Sequence, residues 1–251
     1  MESDGFKLCV NKKKRKNYTK PLTKSCERDP VSMEDVRIAM KWAELNSSEA
    51  SSLLYSHISS MLKNKTVIQI QIYGIGKLDS KHSNGPLQLS VAFELFKQFK
   101  EMFPQISITC QDPILVEEEM KYLESKKVQI FEDTTFSSEH FIQALTSANI
   151  SNSPALICYM IHGNWEMFDE FLKAHWNSKL LSQIIFVANE LGSLESHPKY
   201  STIHQRIKEF SKLCESKSLN FVKGSIASSA FYLTDVFIIS EKNAEILINL
   251  F

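Results

Sequence analysis

The sequence predicts an α/β protein with a Rossmann-like, mostly parallel sheet, helices on both faces, and helices preceding it at the N-terminus. Short apolar runs rich in β-branched residues alternate with helical patterns, the mark of βαβ units. Those runs are apolar on both sides, as strands covered on both faces require. The connecting helical patterns are long enough for right-handed crossovers.

Residues 1–30 carry little apolar content and two prolines, Pro21 and Pro30, and read as a disordered basic arm. A helical segment over residues 31–63 follows. Ser32 with Asp35 forms a capping-box pattern, and Val36, Met40 and Ala43 share a face. Leu54, Ile58, Met61 and Leu62 mark a second helix. The α/β domain then occupies residues 64–251. Its expected strands are 66–73, 106–111, 128–131, 155–161, 183–188 and 236–239. Between them the periodicity predicts helices over 86–103, 117–126, 138–149, 164–176 and 202–217, and a short apolar helix follows the last strand.

Composition narrows the function. The 251 residues are 43% hydrophobic and include 16 Phe, enough for a full core. No run is apolar enough to span a bilayer, and the first residues lack a signal-peptide pattern. The five cysteines show no CxxC pair, so neither a zinc site nor a disulfide framework is implied. A soluble, reduced, intracellular protein is expected. The net charge of zero conceals an asymmetry. Residues 1–30 hold nine Lys/Arg against four Asp/Glu, leaving 20 basic and 25 acidic residues in the rest. An acidic domain argues against nucleic-acid binding by the folded part. The run Lys12–Lys16 fits a nuclear-localisation signal or a solvated tail.

Ligands of open α/β sheets bind beyond the carboxyl ends of the strands. Gly74 and Gly76, with Lys77 after them, end the first expected strand and permit close backbone approach. A helix start after them would offer N–H groups to an anion. The stretch departs from both GxGxxG and the Walker loop, because position 79 is Asp and no GK[ST] follows. Asp112 ends the second strand, where an acid bonds a ribose hydroxyl or, before Pro113, starts a turn. His162 and Asn164 follow the fourth strand and Asn189 the fifth. A histidine there serves as acid, base or ligand, or is held by nearby backbone. The three carboxylates Glu117–Glu119 fit a helix N-terminus. No metal-ligand spacing and no catalytic triad can be assigned.

The segments YGIG (73–76), DP (112–113), YMIHGN (159–164), IIFVANEL (184–191) and AFYLTD (230–235) together resemble the Sensitivity to Red Light Reduced, or SRR-like, domain family over about residues 64–240. Gln111, Gly163 and Ala188-Asn189-Glu190 depart from its usual Tyr, Cys and Gly-Asn-Ser. The resemblance implies a regulatory protein of the cytoplasm and nucleus, with protein partners, linked to circadian-clock input and haem biosynthesis. It brings no established catalytic residues and no identified cofactor. It marks Gly74, Gly76, Asp112, His162 and Asn189 as motif-bearing positions. The expected ligand is nucleotide-like or haem. The alternative is a nucleotide- or S-adenosylmethionine-dependent, methyltransferase-like enzyme.

Overall fold

The first strand, β1 (Thr66–Tyr73), is built from TVIQIQIY and lies inside the sheet, third of its seven described strands. A computed structural model describes residues 30–147, 153–192 and 205–251. The basic arm, Cys9, Cys26, the start of the helix expected at 202 and the end of that expected at 149 lie outside the described residues. From Val31 onward the chain belongs to one compact unit.

The elements in order are α1 (Met33–Asn46), α2 (Ser48–Leu62), β1, α3 (Gly85–Met102), β2 (Ser107–Gln111), α4 (Glu117–Ser125), β3 (Gln129–Ile130), α5 (Glu139–Ser147) and β4 (Pro154–Met160). Then follow α6 (Trp165–Ala174), α7 (Ser178–Ser182), β5 (Ile184–Asn189), α8 (Gln205–Leu213), β6 (Cys214–Ser218), α9 (Ile226–Ala230), β7 (Thr234–Ile239) and α10 (Glu241–Ile248). The sheet order is β3-β2-β1-β4-β5-β7-β6. The first five strands are parallel, while β7 runs antiparallel to both of its neighbours. Ile70 lies opposite Ile108 on one side and Ile157 on the other.

Two apolar layers cover the sheet. Helices α1 to α4 and α9 pack on the face that carries Ile70, Ile72 and Ile157. On the other face Phe168 of α6, Phe186, Phe210 of α8 and Phe237 meet edge to face or stacked, with ring centres 5.2–5.9 Å apart. Such pairs stabilise beyond their buried area. β1 also buries Gln69 and Gln71, and they satisfy each other. Gln71 Nε2 donates to Gln69 Oε1 at 2.7 Å, and Tyr73 Oη donates to Gln71 Oε1 at 2.6 Å. In α1 the Ser32 hydroxyl accepts from the Asp35 N–H at 3.1 Å, and Asp35 bonds back to the Ser32 N–H.

The predicted α/β architecture is the one found. One element changes type. The helix expected to reach Lys217 ends at Leu213, and CESKS instead pairs as β6 with β7, Cys214 opposite Ile239. Serine and cysteine are weak helix formers, so the vacant edge of β7 decides the outcome. Two short helices, α7 and α9, are additions. Each has five residues, too few to show a helical period. Among the described residues no helix is long and apolar enough to cross a membrane.

Candidate functional site

The sheet changes direction between β1 and β4. From β1 the chain leaves toward α3 on one face, and from β4 toward α6 on the other. Loops that part in this way leave a crevice at the strand ends, the usual ligand position in such folds.

The β1 side of the crevice is tied down strand by strand. Gly74 N–H donates to the Gln111 carbonyl at 3.2 Å. Gly76 N–H donates to Asp112 Oδ2 at 2.7 Å, and Leu78 N–H to Glu119 Oε1 at 2.6 Å. Gly76 has φ +80, a conformation costly for other residues, and a Cβ there would meet nothing within 4 Å. The glycine therefore faces open space. Lys77 is exposed, and its carbonyl accepts from the Ser83 hydroxyl at 3.0 Å.

The helix start behind this loop is not an open anion cradle. A Cβ on Gly85 would lie 2.4 Å from the Lys77 carbonyl oxygen and 2.8 Å from that of Ile75. Pro86 has no N–H, and Gln88 N–H is taken by the Asn84 carbonyl at 3.0 Å. Carbonyl oxygens thus cover the start of α3, and they repel a phosphate there.

Asp112, 9% exposed, spends both oxygens on backbone. Oδ2 holds Gly76, and Oδ1 accepts from Ile114 N–H at 3.0 Å across the Asp-Pro turn. Of the two expectations for it, a ribose hydroxyl bond or a turn start, its bonds serve the turn and the glycine loop. Glu119 does more than face a helix dipole. Fully buried, it accepts from Leu78 N–H and, at 3.0 Å, from Val116 N–H at the start of α4.

The β4 side is built around His162, whose φ of +58 is rare for a side-chain-bearing residue. Its N–H donates to Asn189 Oδ1 at 3.0 Å, and Asn189 Nδ2 donates to the Gly163 carbonyl at 2.7 Å. Asn189 so pins the turn between β4 and β5. The imidazole bonds the Tyr232 backbone, and its Nδ1 lies 3.4 Å from Gln88 Nε2. Although the residue as a whole is exposed, desolvation of the ring lowers its pKa, against the raising effect of the Tyr232 bond. Gln88 is buried, donates to the Ala230 carbonyl at 2.7 Å, and receives the Tyr159 hydroxyl on its own carbonyl at 2.7 Å. Asn164 stands apart from this network. It caps α6, its Oδ1 accepting from Met167 N–H at 2.7 Å.

Two cavities flank the crevice. One of about 550 Å³ is lined by Thr135, Phe136, Asn164, Met167 and Glu170. It reaches Gly74 through the Met167 methyl, 3.3 Å from where a Cβ of Gly74 would stand. The other, about 340 Å³, lies beyond Tyr232 and includes Phe221, Phe231 and Thr234. Sequence reasoning missed Gln88, Glu119 and Tyr232. Glu119 was within reach, because it shares a helix face with the apolar Tyr122 and Leu123. Among the described residues no cluster of His, Cys, Asp and Glu could hold a metal ion.

The fold and its strand-end crevice define a doubly wound α/β protein with a β1/β4 switch point. The SRR1 domain model matches residues 50–240, and the chain belongs to that family. No curated protein matches the chain. Among solved structures, the plantazolicin methyltransferase BpumL in complex with SAH is 13% identical, with a TM-score of 0.37, covering 82% of this chain and 90% of that one. BpumL with a pentazolic desmethylPZN analog and SAH gives 12% identity and a TM-score of 0.31, covering 83% and 98%. HcgC from Methanococcus maripaludis, cocrystallized with SAH and pyridinol, gives 9% and 0.22, covering 88% and 89%. At such scores these likenesses carry no functional conclusion.

Proposed function

We propose that this SRR-like protein is a regulator that senses a small ligand in the crevice between the ends of β1 and β4. It acts in the cytoplasm and nucleus, on clock input and haem biosynthesis, the roles its family implies. The observation that carries the ligand reading is Gly76. Its α-carbon faces open space while Asp112 and Glu119 hold the loop on both sides of it. A rigid backbone beside empty space at a switch point is preorganised for binding.

The covered start of α3 selects the ligand class. A di- or triphosphate would meet the Ile75 and Lys77 carbonyls, whereas a neutral or cationic nucleoside-like compound would not. The same selection supports a second reading, an S-adenosylmethionine-dependent enzyme, since that cofactor carries a sulfonium cation and no phosphate.

Thermal shift tests both. The wild type is heated with adenosine, S-adenosylmethionine, S-adenosylhomocysteine, ATP and haem. A ligand at 100 times its Kd adds about 2.7 kcal/mol of stability. A response to adenosine or the S-adenosyl compounds, but not to ATP, and lost in a folded Gly76→Val variant, is the expected result. A response that survives Gly76→Val places binding elsewhere. Turnover of S-adenosylmethionine in the presence of a cell extract would favour the enzyme over the sensor.

A further inference from the structure

The opposite edge of the sheet, where β1, β4 and β5 begin, holds a second kind of cavity. It measures about 380 Å³, and Lys63, Lys65, Lys179, Gln183, Glu215 and Glu241 contribute to its wall. Lys65 is half-buried, with its Nζ donating to the Ser182 carbonyl at the end of α7, 2.7 Å away. That bond accounts for Lys65 as a helix cap. It does not account for the two further cations beside it. Among the described residues no carboxylate comes within 4.0 Å of any of the three ammonium groups. Burial, and then the charge of Lys63, lower the Lys65 pKa, and Glu241 raises it only in part. Lys63 repels Lys65, whose one bond is to an uncharged carbonyl, and an anion between them would remove that repulsion.

The wall also calls for a hydrogen-bond donor. Gln183, only 6% exposed, keeps its side-chain Oε1 buried with no hydrogen-bond partner. This acceptor lacks the bond that buried amides nearly always make, and a ligand hydroxyl would supply it. The cavity also exceeds what a lone ion needs and lies within the roughly 300–1,000 Å³ of small-molecule sites.

We propose that this cavity binds the phosphate monoester of a small hydroxylated molecule. The phosphoryl group takes the lysine side, where its oxygens and double charge match the ammonium donors. The hydroxylated body takes the other side, where the Glu215 and Glu241 carboxylates accept from hydroxyls. The site lies at the far edge from the β1/β4 crevice and is independent of it.

Isothermal titration of the full chain with inorganic phosphate, ribose 5-phosphate and ribose tests the assignment. Ribose 5-phosphate should bind more tightly than phosphate, and ribose should show no heat at the same concentrations. Lys63→Ala/Lys179→Ala removes exposed side chains, and circular dichroism confirms that the variant is folded. It should weaken both phosphates at least about tenfold, the loss of one charge-assisted bond. Glu215→Ala/Glu241→Ala should abolish the preference for ribose 5-phosphate and leave phosphate binding intact or tighter. The assignment is overturned if neither phosphate binds at about 10 mM, less than about 3 kcal/mol of affinity. It is equally overturned if the double lysine variant binds as the wild type does, or if ribose 5-phosphate binds no better than phosphate.

Discussion

Removing the Glu119 carboxylate should unfasten the glycine loop. The side chain is fully buried and receives two backbone N–H groups, from Leu78 at 2.6 Å and Val116 at 3.0 Å. Hydrogen bonds to a charged acceptor contribute about 1.5–3 kcal/mol each, and a buried donor left alone costs a similar amount. Glu119→Ala strands both donors, and Leu78 is itself fully buried. The expected loss is about 3–5 kcal/mol, a large share of the roughly 5–15 kcal/mol that holds a domain together. For a chain of this size the melting temperature should fall by about 10 °C. Glu119→Gln keeps the shape and one acceptor oxygen, and should lose about half as much. Urea denaturation followed by circular dichroism measures both. If Glu119→Ala stays within about 1 kcal/mol of the wild type, the carboxylate is not what holds the loop. The account of a preorganised Gly76 then fails with it.

Substitutions at four other positions separate structural from ligand roles. Gly85→Ala drives a methyl group into two backbone carbonyls and should cost more than about 3 kcal/mol in the same melt, whereas Gly76→Ala meets open space and should cost only about 1 kcal/mol of backbone strain. His162→Ala should cost under about 1 kcal/mol, as exposed positions do, and His162→Gly should recover stability at its positive φ; a loss of several kcal/mol would make the ring a core element. His175, fully buried, has its pKa lowered to about 4 by desolvation, against the bond from its ring to the Phe171 carbonyl and with help from His140. Its folded pKa lies below the unfolded 6.5, so the unfolded chain takes up the proton first: stability is full above pH 6.5, falls by about 3 kcal/mol on the way to pH 4, and His175→Phe should flatten that part of the pH profile.

The parts of the fold that sequence made visible are those where one pattern dominates. β1 and β4 are runs of apolar and β-branched residues, so their bounds came out within a residue. The α1 start was legible from Ser32 and Asp35 alone, because a capping box is local chemistry. β6 was hidden, since CESKS has no strand character apart from the neighbour that pairs with it. The site divides in the same way. Glycines and strand-end polar residues are recognisable by type, and Gly76, Asp112, His162 and Asn189 could be named. Gln88 could not, because its role depends on α3 passing the 230–232 turn, a meeting of residues 142 positions apart.

The reversed strand has a consequence for the order of assembly. β7 lies between β5 and β6, so β6 has no partner until the chain twenty residues further on has been made. Until then the nascent domain exposes the edge of β5, with Ile185, Phe186 and Val187 unpaired on that side. An apolar open edge of this kind invites pairing with other chains. The turn that carries Tyr232 to His162 immediately precedes β7, so the edge of β5 and that side of the crevice close in the same step. Growth of the polypeptide from one end therefore acts as a timer: an immature chain is sticky and lacks that wall of its crevice, and it sheds both properties together.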